Sequence, residues 1–317
     1  MRLAGSSRRR PASPAAVVAQ RCRHHSGTAV AEGSSAEALP ALLGRRRPVV
    51  LRGYAAGWAA TRRWGDPAHL CQRAGGADRL VSVERSDDGH FSHASGRGRT
   101  TVPLGLMLEH FAAVVASPDG APAQVYAAQV PIDELGAALR QDIEVPAATC
   151  GSAVDGSGAQ PEVNVWLGLG AVTPLHFDDS DNLLVQVCGR KHLRLYDPAE
   201  SRRLHPFRGT EGPRNASRIV DIAAAEARPG AFPGFVDAQF EETCLAPGDL
   251  LYIPRRWWHA TRSEQPATVG KGEMEAAILE EQDSSCTNVP YNLSVNIWFD
   301  QHARTSTDTR SNNTVSL

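Results

Sequence analysis

The stretch VNVWLGLGAVTPLHFDDSDNLLVQVCGRKHLRLYDP, from Val163 to Pro198, constrains this chain more than any other. Short apolar runs alternate in it with turn residues. Val163 to Leu167 reads as a strand, Gly168, Gly170 and Pro174 as a turn, and Asn182 to Val187 as a second strand. Cys188-Gly189-Arg190 is a tight turn, and Lys191 to Tyr196 returns as a third strand. Consecutive short strands are the material of a double-sheet jelly roll.

Within this stretch lies His176-Phe177-Asp178, and a second histidine, His259, follows in GDLLYIPRRWWHA. On a strand, residues two apart share a face, so His176 and Asp178 are expected to reach one metal ion together, with His259 arriving from another strand. Two imidazoles and one carboxylate on one side of an ion form the facial triad of non-haem Fe(II) oxygenases, which leaves positions open for other ligands. A lone His-x-Asp pair is more often an ordinary solvated pair, so the signal rests on the surrounding strands. Lys191 shares a strand face with Leu193 and Leu195. A lysine aimed at a core is costly unless it meets an anion, and the plainer alternative is that it snorkels to the rim.

At this point VTPLHFDDSDNLLVQVCGRKHLRLYDPAE resembles the core of the JmjC-domain oxygenases of the cupin-like group. Those enzymes are similar in a hydroxyl residue three before the first His, an Asn six after it and a Lys fifteen after it; Thr173, Asn182 and Lys191 stand there. The likeness runs from about Leu39 to Phe299 and is looser before Val125. It implies a mainly β fold with flanking helices, a double-stranded β-helix of the jelly-roll, cupin-like type. It also implies Fe(II) on His176, Asp178 and His259, with 2-oxoglutarate and dioxygen as co-substrates. Lys191 and Thr173 would meet the distal carboxylate of 2-oxoglutarate, and Tyr126, Asn182 and Asn296 would line it.

The resemblance extends to small JmjC-only proteins described both as arginyl hydroxylases and as histone lysine demethylases. Attack on a side-chain carbon yields an alcohol, whereas attack on an N-methyl group ends in loss of formaldehyde, and one triad serves both. Glu84 aligns with a carboxylate that faces a substrate guanidinium, and Trp166 with an aromatic of the same pocket. Those relatives carry a Trp a few residues after the carboxylate, where this chain has Phe91. The expectation is therefore a protein hydroxylase favouring arginine, acting on a basic protein such as a histone. The alternatives are a demethylase, a tRNA-base hydroxylase, a cupin-type enzyme needing no 2-oxoglutarate, and a non-catalytic cupin-like binding module.

Composition bounds these readings. The chain has 317 residues, 42% of them hydrophobic, and no apolar run approaches a membrane span. A formal charge of −2 argues against strong electrostatic capture of nucleic acid. Residues 1–31 hold six Arg and no acid, so the remainder carries 27 basic against 35 acidic residues, a formal −8. Such a body favours a basic protein partner, although a solvated acidic surface is commoner. Six cysteines without CxxC spacing read as reduced thiols of an intracellular protein, nuclear or cytoplasmic. Residues 1–31 fit a disordered tail, a basic nuclear-type segment or an organellar transit peptide equally well.

The remaining chain supports one catalytic domain over residues 32–302, with its core at 163–299 and a polar tail at 303–317. Helices are expected over Ala36–Leu43, between Trp58 and Trp64, from Pro103 through Val115, and over Ile132–Leu139. Strands are expected at Pro48–Leu51, Leu80–Glu84, from Val125, at Leu250–Pro254 and at Asn292–Phe299. Pro198 to Pro233 reads as a long crossing loop, and the polar, acidic segment 263–290 as a disordered insertion. On the last strand Asn292, Ser294, Asn296 and Trp298 alternate with Leu293, Val295, Ile297 and Phe299; in a barrel such a polar face lines a wet cavity.

Overall fold

A computed structural model describes residues 27–33, 39–87, 89–91, 98–116, 124–150, 160–264 and 289–300. Its strands are β1 (Gly27–Ala29), β2 (Val49–Leu51), β3 (Leu80–Ser86), β4 (Thr100–Pro103), β5 (Gln124–Pro131), β6 (Glu162–Gly168) and β7 (Val172–His176). There follow β8 (Asp181–Cys188), β9 (Lys191–Tyr196), β10 (Phe240–Leu245), β11 (Leu250–Ile253), β12 (Trp258–Ser263) and β13 (Asn292–Phe299). They form a five-stranded sheet, β1-β10-β9-β12-β7, and an eight-stranded sheet, β2-β11-β8-β13-β6-β5-β3-β4.

The side chains of the larger sheet separate by alternation into two faces. Leu183, Val185, Leu250, Tyr252, Val295 and Ile297 pack with Trp64, Leu70, Met107 and Phe111 from the N-terminal helices. Leu184, Leu251 and Ile253 turn the other way and meet Leu193, Leu195 and Leu245 of the smaller sheet. β8 is therefore covered on both sides and buried at every position, its polar Asp181, Asn182 and Gln186 included. The outer face of the smaller sheet is closed by the long crossing segment, whose Leu204, Ile219 and Phe235 pack on Leu175, Tyr196 and Trp258. These facing sheets, flanked by helices, form the double-sheet jelly roll expected from the sequence.

The β8–β9 turn depends on Gly189 at φ +71°, where a Cβ would stand 3.2 Å from the Tyr291 carbonyl oxygen. Most expected strands are present, with four departures. Pro174 lies inside β7, not in a turn; β7 is the edge strand of its sheet, where a missing N–H leaves no gap in the ladder. Thr100–Pro103 is likewise an edge strand paired with β3, and the helix starts only at Leu104. β10 has no counterpart in the sequence reading, because its FEETCL pattern offers little alternation.

The fourth departure concerns the limits of the domain. The sequence places residues 1–31 outside the fold, yet β1 pairs in parallel with β10 and Val30 is buried. Residues 1–26 lie outside the described residues. Ser263, placed in the insertion, is the buried last residue of β12 and donates to the Ala171 carbonyl at 2.9 Å. Glu264 and residues 289–290 of the expected insertion are also placed: Glu264 N donates to the Arg190 carbonyl at 2.9 Å and Val289 packs on the core. The rest of that expectation, residues 265–288, lies outside the described residues, as does the tail at 303–317. No helix among the described residues is long and apolar enough to cross a membrane.

Candidate active site

His176 and His259 are direct cross-strand partners on β7 and β12, with ring centroids 4.3 Å apart. His176 Nδ1 lies 2.9 Å from the Pro174 carbonyl and His259 Nδ1 lies 3.0 Å from the Trp257 carbonyl. A carbonyl only accepts, so each Nδ1 donates its proton and each neutral ring keeps a lone pair on Nε2. The two Nε2 atoms face Asp178, 3.9 Å from its Oδ1 and 3.7 Å from its Oδ2 respectively. Those distances are too long for hydrogen bonds. Burial, and next the neighbouring His259, push the His176 pKa well below that of an ordinary imidazole against the pull of Asp178, so the ring is neutral.

Asp178 is not a strand residue, since β7 ends at His176. The shared strand face expected for the pair is thus replaced by a loop, pinned where Arg256 N donates to the Asp178 carbonyl at 2.8 Å. Arg256 sits at φ +67°, and its guanidinium lies 4.6 Å over the Phe177 ring. One contact thereby ties the loop carrying Asp178 to the turn that launches His259.

The triad opens into a cavity of about 300 Å³ between the sheets. Tyr126, Thr173, Asn182, Lys191 and Asn296 all line it, as do Glu84 and Trp166. Lys191 is only 3% exposed and makes no ion pair among the described residues, and burial lowers its pKa to about 7. It shares the buried face with Leu193 and Leu195, so it does not snorkel to the rim. Asn182 Oδ1, Asn296 Nδ2 and Trp298 Nε1 are buried without hydrogen-bond partners. Asn296 spends its Oδ1 on Trp166 Nε1, at 3.0 Å. Tyr126 is held by a side-chain hydrogen bond with Thr173, and burial raises its pKa.

An unpaired buried ammonium and three orphaned polar atoms around one cavity are a large unmet demand, because each buried polar group without a partner costs free energy. A small anion accepts from the lysine, Asn296 Nδ2 and Trp298 Nε1 together, whereas Asn182 Oδ1, itself an acceptor, needs a donor. Next to it, two imidazole lone pairs and a carboxylate, whose ligand atoms lie within 4.8 Å of one another, fit a divalent transition metal. The residues present thus suit both an Fe(II) ion and a dicarboxylate such as 2-oxoglutarate.

Residues 35–305 match the family profile described as "Cupin-like domain". The chain belongs to the cupin-like domain family. It is 32% identical over 219 residues to lysine-specific demethylase 8 of Xenopus tropicalis, covering 69% of this chain and 46% of that protein. Against Jumonji C domain-containing protein 5 of Drosophila melanogaster it is 33% identical over 223 residues, or 70% of this chain and 53% of the relative. Lysine-specific demethylase JMJ30 of Arabidopsis thaliana is 33% identical over 217 residues, 68% of this chain and 47% of its own. The chain therefore spans about half the length of these curated relatives. The matches place it among cupin-like JmjC proteins, as the core motif implied.

The outer part of the cupin-like pocket holds residues the sequence reading passed over. Arg99 Nε stands 3.7 Å from Glu84 Oε1, and Arg99 Nη2 donates to the Ala128 carbonyl. Glu84 thus already faces a guanidinium, one from its own chain. No sequence signal points to Arg99, which comes to the pocket from the position just before β4. Phe91, Tyr126 and Trp166 form an aromatic row with centroid spacings of 5.0 and 5.8 Å. Phe91 fills the wall with a ring but has no N–H to offer. Thr261 lines the cavity two residues beyond His259, a position that strand alternation alone made legible.

Proposed function

We propose that this chain is an Fe(II)- and 2-oxoglutarate-dependent oxygenase that hydroxylates a side chain of a basic protein, with arginine favoured. The observation that carries the proposal is the buried, unpaired Lys191 opening into the same cavity as the His176, Asp178 and His259 set. When bound, iron and 2-oxoglutarate supply the oxidising chemistry, in which dioxygen converts the oxo acid to succinate and carbon dioxide and one oxygen atom enters a substrate C–H bond.

The chain's own residues do the positioning. His176, Asp178 and His259 would hold the metal, with both rings fixed by their Nδ1 hydrogen bonds to backbone carbonyls. Lys191 neutralises the far carboxylate, Thr173 donates a hydroxyl to it, and the free Asn296 Nδ2 donates to its remaining lone pairs, while Asn182 lines the same cavity. Phe91, Tyr126 and Trp166 keep bulk water from the reacting centre. Arginine is favoured because Glu84 and Trp166 offer a carboxylate and an indole face, which suit a planar guanidinium better than a methylated ammonium.

A demethylase reading has its own support, since two of the relatives are named lysine-specific demethylases. One experiment separates them. The Fe(II)-loaded chain is given 2-oxoglutarate and matched peptides carrying Arg or methylated Lys, and succinate, oxygen addition and formaldehyde are measured. Oxidised Arg, reduced far more by Glu84→Gln than is peptide-free succinate release, supports the hydroxylase. Formaldehyde without oxidised Arg supports the demethylase. Succinate no higher than in the Asp178→Ala variant removes the oxygenase reading altogether.

A further inference from the structure

Behind Lys191, on the opposite face of β9, the chain assembles a second group of reactive side chains. His192 on β9 and Cys244 on β10 are register partners, with Nε2 3.8 Å from Sγ. Arg190 in the β8–β9 turn donates from Nη2 to the same Sγ at 3.3 Å. Glu264, just past β12, closes the group: it pairs with His192 through Oε1, and its Oε2 lies 3.5 Å from Arg190 Nε. Its backbone N–H donates to the Arg190 carbonyl at 2.9 Å, which holds it in place. Arg52 approaches from the other side, bonding the Cys244 carbonyl and the Thr243 hydroxyl.

Two chemistries compete for such a site. The nitrogen, sulfur and oxygen atoms of His192, Cys244 and Glu264 lie within 4.8 Å of one another, a spacing a divalent metal also uses. The charges decide between them. A guanidinium and an imidazolium against one carboxylate leave one positive charge unbalanced, and a thiolate at Cys244 balances it. A divalent cation would instead have to expel the guanidinium and take the proton from the imidazole.

We propose that Cys244 is a modification site, a thiolate held by His192 and Arg190 that reacts with peroxides and other soft electrophiles. Cys244 is a free cysteine and only partly buried. Burial works to raise its pKa, but the contacts from His192 and Arg190 outweigh burial and hold it below the ordinary thiol value. The hydrogen bond with Cys244 is in turn the largest influence on His192; together with Glu264 and against burial, it pushes the imidazole up to about 9. The two shifts both favour the thiolate–imidazolium form of the pair.

With hydrogen peroxide the step balances as follows. The sulfur lone pair attacks one oxygen, the O–O bond breaks as the S–O bond forms, and the departing hydroxide takes the His192 proton and leaves as water. Sulfur is oxidised by two electrons to the sulfenic acid and the peroxide is reduced. Reversal requires an added thiol.

The test uses the full chain and peptide-resolved mass spectrometry after limiting iodoacetamide, and separately after hydrogen peroxide with a sulfenic-acid trap. Cys71, partly buried with a pKa raised by burial, is the internal reference. Cys244 is expected to be alkylated at least about tenfold faster than Cys71 at pH 7, with a half-maximal rate below an ordinary thiol pKa of about 8.5, and to carry the trap. Arg190→Ala, at a half-exposed turn position, is expected to slow the reaction and move its midpoint upward. Labelling no faster than Cys71 in the unaltered chain overturns the proposal, and so does a midpoint unmoved by Arg190→Ala. Stoichiometric zinc that blocks alkylation and stays bound through gel filtration also overturns it, in favour of a metal site.

Discussion

The two halves of β13 follow one alternation and end in opposite states. At its start, Ser294 Oγ donates to Gln186 Oε1 at 2.8 Å, Gln186 Nε2 donates to Asn292 Oδ1 at 3.0 Å, and Asn292 Nδ2 reaches the Arg190 carbonyl at 2.7 Å. Every polar group there has a partner in its own chain. Four residues on, Asn296 Nδ2 and Trp298 Nε1 are as deeply buried and have none. A closed network specifies packing, whereas an open one facing a cavity waits for something from outside. The same strand thus carries a satisfied end and an open end, and the difference is partner count, not polarity.

The sharpest break of that comparison lies at the metal side of the open end. Asp178→Ala should reduce coupled succinate release to background and weaken iron retention, with the thermal midpoint of the chain unchanged within error. Full turnover in that variant would remove Asp178 from the site. Next comes Lys191→Ala, which strips the cation from the co-substrate carboxylate. A charge-assisted contact is worth about 1.5–3 kcal/mol, so the KM for 2-oxoglutarate should rise roughly ten- to a hundred-fold. A KM within twofold of the parent would place the functional contact elsewhere.

Lys191 also gives the open end a pH signature. Burial holds it near 7 in the free chain, while a bound dicarboxylate favours the ammonium and raises its pKa. Binding above that value therefore takes up a proton, and affinity should fall toward tenfold per pH unit as pH rises past 7. Calorimetry at pH 8 in buffers of different ionisation enthalpy reads the uptake directly. An uptake that persists in Lys191→Ala would assign it to another group.

At the closed end the effect should appear in stability alone. Gln186→Leu leaves the Ser294 hydroxyl and Asn292 Oδ1 buried without partners, at a cost of about 1–3 kcal/mol for each unsatisfied group. Denaturant midpoints should fall, while the KM for 2-oxoglutarate stays within twofold. A change in KM with no loss of stability would show that the two halves are not separable. The smallest expected effect is at the pocket mouth, where Arg99→Ala frees Glu84. A partly exposed ion pair is worth about 0–1 kcal/mol, so the KM for an Arg peptide should drop by at most about fivefold.

Much of this was legible along the chain. The strand from Asn182 to Val187, the turn at Gly189, and Lys191 on a face with Leu193 and Leu195 are local patterns with local causes, and the structure repeats them. The pairing of His176 with His259 carried a motif but no geometry of its own. Asp178 reaches the site from a loop, so the expected strand alternation misdescribed how it gets there. β7 was hidden because Pro174 punctuates a sequence even where an edge strand tolerates it. β10 was hidden because its residues alternate weakly, and Arg99 because nothing in its neighbourhood marks a pocket.

By itself the sequence determined the strand-rich class, the ligand types and the one lysine set among apolar neighbours, since side-chain chemistry and period-two alternation are properties of adjacent residues. Only the tertiary structure decided which polar groups are satisfied. It joined Asn292 and Ser294 to Gln186, left Asn182, Asn296 and Trp298 open, and set Arg99 before Glu84. A hydrogen bond or ion pair across strands depends on register between segments distant in the chain, and no run of neighbouring residues encodes it.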